Sequence, residues 1–211
     1  MAMPITPSYT PPLNSFVGPY TTKEEFISNW QTVRHLRLNP YLEKSSLCPL
    51  TTPMHRAAKL GNVELIDFFA LVGGTELLTL EDLCYQTPLK CAVSCEDAER
   101  GYLATKKLLQ LGTPVNSCGS NNPSLIYRTP LESALMDGKI KIAALLIKMG
   151  GIVPWEHYKY EHLKDRGCDL QDEYVKTKYY SEKIKAAYEA AEKEAATMEN
   201  LTLEMEAPSK I

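Results

Sequence analysis

The sequence predicts an all-α fold, a solenoid of stacked helix-turn-helix units closed by helical caps at both ends. Three observations carry that expectation. A Thr-Pro dipeptide recurs at Thr52-Pro53, Thr87-Pro88 and Thr129-Pro130, each time opening a short helical pattern. A second apolar pattern with helical spacing follows each short one, as in Leu65, Phe68 and Phe69 or Ile142, Leu145 and Leu146. Glycines punctuate the turns, at Gly61, Gly73, Gly74, Gly112, Gly138, Gly150 and Gly151. Self-similarity at such a period marks architectures in which each unit buries its apolar face against its neighbours.

The bulk numbers are compatible with this. A chain of 211 residues holds one or two domains. Hydrophobic content of 44% and charged content of 23% are ordinary for a soluble protein. A net charge of -3 gives no general attraction to nucleic acid or to anionic membrane, so neither is expected as a partner. No run approaches the roughly 20 apolar residues of a membrane span. The first residues lack the basic and apolar segments of a secretory signal. The six cysteines (Cys48, Cys84, Cys91, Cys95, Cys118 and Cys168) are scattered, which reads as reduced thiols and a cytoplasmic location.

Taken in order, residues 1–20 hold five of the 14 prolines. Each fixes φ and removes a donor, so an extended, poorly ordered arm or a strap lying on the domain is expected there. Residues 21–51 form the N-terminal cap. Its helix spans about 22–38: Thr21 or Thr22 with Glu24 or Glu25 has capping-box spacing, and Phe26, Trp30 and Val33 share one face. Asn39-Pro40 stops it.

Residues 52–153 carry the three units, 52–86, 87–128 and 129–153. Thr52–Gly74 aligns without a gap on Thr129–Gly151, matching Ala57 with Ala134 and Gly61 with Gly138. The copy between them, from Thr87 to Asn116, carries about four extra residues around "CEDAERGY". That insertion is expected to be an acidic, exposed surface. Threonine satisfies an orphan N–H at a helix start, and proline at the first helical position loses nothing. Small residues at Ala57, Ala58, Ala92 and Ala134 let antiparallel helices approach closely. Gly61 and Gly138 end the short helix in the left-handed region. The second helices are expected to bury Leu65, Ile66, Phe68 and Phe69, then Leu103, Leu108 and Leu109, then Ile142, Leu145 and Leu146.

Residues 154–196 form the C-terminal cap. Pro154 opens one helix and Gly167 closes it; a second runs from about 172 to 196. Val175, Tyr179 and Ile184 are placed against the third unit. The distal half, small and charged, is expected to project into solvent, with residues 197–211 frayed. Six of the 12 tyrosines lie in this region beside Trp155, either in capping contacts or on a partner or dimer surface.

These repeated residues resemble the ankyrin repeat. The family pattern runs Thr-Pro-Leu-His, a pair of alanines, a glycine, an apolar second helix, and Gly-Ala near its end. The resemblance covers about residues 50–153. It implies a protein–protein interaction module that binds through a concave face of loop tips and inner-helix residues. Carried across, the inner-helix positions are Lys59, Leu60, Ser94, Cys95, Met136 and Asp137. The loop positions are Thr51, Gln86 and Arg128, with Tyr85 and Tyr127 beside them. The family's glycine two residues before Thr-Pro is replaced by Leu50, Tyr85 and Tyr127, and its Asp-Gly turn is missing. Tyr85 and Tyr127 are therefore either binding anchors or packing residues. His55 matches the family's histidine, a structural hydrogen-bonding group; Lys90 and Glu132 replace it later, which implies weaker local networks. Asn116 resembles a hydroxylated asparagine of some ankyrin repeats, but a plain turn role is favoured.

No catalytic residue, metal ligand or cofactor is assigned. His157 and His162 stand about 140° apart on a helix, and with Cys168 they do not reach a zinc spacing. Cys91 and Cys95 read as small buried residues. No phosphate or dinucleotide loop is present. The partner expected is another protein; the oligomeric state is left open. One alternative makes the chain an effector of an intracellular microbe, acting on host proteins in the host cytosol. Another places an enzyme site in the flanking helical segments.

Overall fold

Each Thr-Pro dipeptide starts a helix. The computed structural model describes residues 16–33, 52–82, 85–117, 128–153 and 182–198. The helices are α1 (Lys23–Val33), α2 (Pro53–Leu60), α3 (Val63–Gly73), α4 (Glu76–Thr79), α5 (Pro88–Val93), α6 (Ala98–Gln110), α7 (Pro130–Met136) and α8 (Ile140–Lys148). Residues 182–198 form a further helix, α9. Among the described residues there is no strand.

The starts of α2, α5 and α7 share one chemistry. The hydroxyls of Thr52, Thr87 and Thr129 accept the backbone N–H of His55, Lys90 and Glu132 at 3.4, 3.4 and 3.1 Å. Proline follows each cap, where its missing N–H costs nothing. Gly61 and Gly138 end α2 and α7 at φ 68°, the left-handed region that glycine enters freely.

The short helices α2, α5 and α7 pack side by side as one row, and α3, α6 and α8 as a second row behind it. Ala57, Ala58, Ala92 and Ala134 are fully buried in the first row. Their small side chains allow close helix approach, and Leu65, Ile66, Phe69, Leu108, Ile142 and Leu146 fill the space between rows. Gly101 belongs to the same close packing: a Cβ there would stand 3.1 Å from Ala92 O.

The N-terminal end is covered by the chain itself. Thr22 and Glu25 form a reciprocal capping box at 3.2 and 3.0 Å. Phe26 is buried and meets Phe69 edge-on at 5.0 Å between centroids. Residues 16–20, expected to belong to a poorly ordered arm or to a strap lying on the domain, are docked as a strap. Val17 is buried, and its carbonyl accepts Arg56 Nε–H at 2.8 Å. Asn62 donates to Gly18 O and Thr21 O while its Oδ1 caps α3 through Leu65 N.

Several expectations are corrected. The acidic residues of the second unit's insertion, Glu96, Asp97 and Glu99, are exposed as expected, and the segment is built into a helix: Asp97 caps α6, and "AERGY" forms that helix's first turns. The extra length makes Leu103 45% exposed, whereas Leu108 and Leu109 are buried. Phe68 and Leu145 are half-buried. Helix α4, built on buried Leu77 and Leu78, was not anticipated. The distal half of α9 does not project into solvent. Ile184 and Ala191 are fully buried, and Ala187, Tyr188, Ala195 and Met198 continue the same face against the core. Helix α9 runs past the expected end at 196. The arm at 1–15, the cap segment 34–51 and the helices expected within 154–181 lie outside the described residues, with Trp155, Val175 and Tyr179.

Two lysines tie successive elements together. Lys139 Nζ donates to Val93 O and Cys95 O at 2.6 and 2.7 Å, where α5 ends. Lys183 Nζ of α9 donates to Met136 O at 2.7 Å, where α7 ends. A cation at a helix C-terminus satisfies orphan carbonyls and opposes the helix dipole.

Candidate functional site

The loop between α4 and α5 is held from behind by His55. Thr52 Oγ1 donates to His55 Nδ1 at 2.8 Å, and Thr52 N–H approaches the same nitrogen at 3.4 Å. On the other side of the ring, Nε2 faces Leu80 O at 2.9 Å and Gln86 O at 3.0 Å. Two carbonyls require that Nε2 carry the proton, so the neutral tautomer satisfies every partner. Burial lowers the His55 pKa; the charge of Asp82 and the two carbonyl bonds oppose that shift without reversing it. The ring thus joins the start of α2 to both ends of the following loop.

Asp82 closes that loop. Its N–H donates to Gln86 O at 3.0 Å, its carbonyl accepts Tyr85 N at 2.9 Å, and its Oδ1 accepts Gln86 N at 2.9 Å. Residues 83 and 84 lie outside the described residues. Tyr85 emerges from this cage at φ 55°, the one non-glycine residue with positive φ among the described residues. Its side chain is 42% exposed. An aromatic residue in the left-handed region is an outlier, held there by its surroundings. The backbone there takes a conformation that glycine enters freely, with a tyrosine carried on it.

The other expected site residues divide between two edges of the first row. Tyr85, Gln86 and Arg128 stand at the N-terminal edge, ahead of α5 and α7. Lys59, Leu60, Met136 and Asp137 stand at the C-terminal edge, roughly 10 Å away along helices of this length. Lys59, Arg128 and Asp137 are exposed. Leu60 and Met136 are half-buried and pack on the core, so they offer less surface than expected. Gln86 is half-buried, and its side chain accepts the Cys91 thiol at 3.6 Å. Ser94 is half-buried. Cys95 is 2% exposed, which agrees with its reading as a small buried residue and removes it from the inner-helix positions of a binding face. Asp137 lies 3.9 Å from Lys139 Nζ. Thr51 and Tyr127 lie outside the described residues.

The unit ends differ from expectation too. Glu132 does not leave a weak network: its carboxylate accepts Thr129 N at 3.0 Å, completing a capping box, while Thr129 Oγ1 donates to Ile152 O at 2.9 Å. Asn116 acts as a latch, donating to Gly150 O at 3.1 Å and accepting Ile152 N at 2.9 Å.

What the sequence did not reveal is the role of Asp82, whose partner sits four residues away in an irregular loop. It also missed a groove of about 620 Å³ beside α3, lined by Phe68, Leu71, Leu78 and Leu111 together with Lys23, Glu64 and Asp67. Among the described residues no group of His, Cys, Asp and Glu is arranged to hold a metal. His157, His162 and Cys168 lie outside the described residues. No described helix is long and apolar enough to cross a membrane. No protein-family model and no curated protein matches this chain.

Proposed function

We propose that the chain is a protein–protein interaction module: a divergent ankyrin-type stack that binds another protein through the loop-tip edge of its first helical row. The observation that carries this reading is Tyr85, an exposed ring on a left-handed backbone fixed by hydrogen bonds from Asp82 and, through Gln86, from His55. Local strain persists where surrounding structure enforces it, and it clusters at binding and catalytic sites. A tyrosine fixed in advance gives contact area with little further ordering cost. Arg128 stands at the corresponding edge of the next unit. Further support comes from the three Thr-Pro-capped short helices, each paired with a second helix in the row behind. The buried thiols of Cys91 and Cys95, which form no disulfide among the described residues, fit the reducing cytoplasm that this reading implies.

The test is quantitative affinity capture from the native cell with the full chain, compared with Tyr85→Gly and Arg128→Glu. The reading expects a discrete set of proteins to be lost from both variants while their melting temperatures stay within a few degrees of the parent. A capture profile identical for all three chains overturns it.

A further inference from the structure

Leu71 of α3, 85% exposed, is the most exposed large apolar side chain among the described residues, and Val72 beside it is 45% exposed. Leu71 lines the groove of about 620 Å³ with Lys23, Phe68, Thr75, Leu78 and Leu111. The carboxylates at this groove already have partners. Glu64 Oε1 accepts Lys23 N–H at 2.9 Å, and Asp67 pairs with Lys107 at 2.7 Å. What is left unmatched is apolar surface, for which water is a poor neighbour.

The fold shows which part of the chain passes here. Lys23, the first residue of α1, is bonded to Glu64 in the first turn of α3. Phe26, one turn later, meets Phe68 and Phe69 at 6.2 and 5.0 Å between centroids, further along α3. Helix α1 therefore advances in the sense of α3, toward the end where Leu71 stands. The start of α2 is at that same end: a tight turn at Gly61 and Asn62 joins α2 to α3, and His55 near the start of α2 holds Leu80 O just beyond α4. Residues 34–51, which lie outside the described residues, thus leave from and return to one end of the first unit. That connection has 18 residues, and it carries Leu36, Leu38, Tyr41, Leu42, Leu47 and Leu50. Helix–helix connections in compact bundles commonly take only about 2–8 residues. The other long segments outside the described residues start elsewhere: 1–15 lead into Val17, docked on Arg56 of α2, and 118–127 and 154–181 follow the second and third units.

We infer that the groove beside α3 is filled from within the chain, by apolar side chains of residues 34–51. Leu36 and Leu38, the first apolar residues after α1, meet Leu71. This side of the first unit is then internal surface, like the contact of Phe26 with Phe69, and offers no apolar site to a partner. The packing does not depend on the interaction reading above, whose face is the loop-tip edge.

A photo-crosslink tests it. In the full chain, p-benzoylphenylalanine in place of Leu71 should link on irradiation to a residue within 34–51, the joined peptides being identified by mass spectrometry. Mixed heavy- and light-isotope chains should show that the link lies within one chain. Leu71→Cys gives a second measurement. Alkylation at residue 71, read from the mass of its peptide, should become at least about tenfold faster when Leu36→Ser and Leu38→Ser are added. Circular dichroism melts of each variant show that it is folded. A link to residues 1–15, 118–127 or 154–181 overturns the assignment, as does a link between chains or no link at all. An alkylation rate unchanged by the two serines overturns it too.

Discussion

His55 and Glu132 occupy the same place in their units, three residues after the capping threonine, and they do different things. His55 reaches forward: its Nδ1 engages Thr52, and its Nε2 engages Leu80 O and Gln86 O in the loop leading to the next unit. Glu132 turns back on its own helix start and accepts Thr129 N. The first solution ties the start of a unit to the loop at its end; the second completes a single helix start. A neutral ring with one donor and one acceptor on opposite sides can bridge two elements, whereas an ionised carboxylate only accepts. The position thus acts on its own helix start at the third unit and across the length of the unit at the first. The exposed tyrosine sits on the loop that the bridging residue holds.

The largest expected effect breaks the bridge. His55→Ala removes a buried ring and strands two carbonyls. An unsatisfied buried polar group costs about 1–3 kcal/mol, and the lost ring volume adds to it. Urea unfolding should show a loss of about 3 kcal/mol or more, with protease cutting first in the 80–86 loop. A loss under about 1 kcal/mol would mean that the loop is held by Asp82 alone.

Glu132→Ala should cost less, about 1–2 kcal/mol, because the helix start loses one of two reciprocal bonds. Glu132→Gln keeps an acceptor and should recover most of that. If both variants melt alike, the carboxylate's charge rather than its geometry matters, and the contrast with His55 fails.

Acid distinguishes the two positions a third way. The folded His55 pKa is lowered from 6.5, chiefly by burial. Below that value the unfolded chain takes up a proton that the folded chain refuses, so the unfolded state gains. Stability contributed by the neutral ring is therefore complete above about pH 6.5 and is lost as pH falls below it. The slope should reach at most about 1.4 kcal/mol per pH unit. It should shrink in His55→Gln, measured by denaturant titration between about pH 5 and 7, where histidine titrates. An equal slope in both chains would assign the effect to other groups.

Much of this was legible because it is local. Thr-Pro starts, the glycine ends at Gly61 and Gly138, and the Thr22–Glu25 box depend on residues within a few positions of each other, and the structure has them. What was illegible depends on distant packing. Leu103 and Leu108 look equally apolar, but the added first turns of α6 decide which one faces the core. Ala191 lies among glutamates and lysines and reads as solvent-facing, yet it is fully buried on the same face as Ile184. At the site, Tyr85 was visible as a departure from glycine. Its left-handed φ, and the Asp82 and His55 bonds that impose it, required the fold.

The smallest stability effect is the most decisive for function. At Tyr85 the left-handed backbone costs a side chain about 1–2 kcal/mol. Glycine relieves that strain but gives back about 0.5–1 kcal/mol through the entropy of the unfolded chain. Tyr85→Gly should therefore leave stability within about 1 kcal/mol of the parent if the 42% exposed ring is an anchor for a partner. If the ring instead packs for the loop's own sake, its loss removes buried area and the variant should fall by about 2 kcal/mol or more. Denaturant unfolding of this one variant separates the two roles that the sequence left open. Because glycine preserves the backbone, a binding defect in a variant of parental stability is attributable to the ring. A marked loss of stability would return Tyr85 to the packing of the fold.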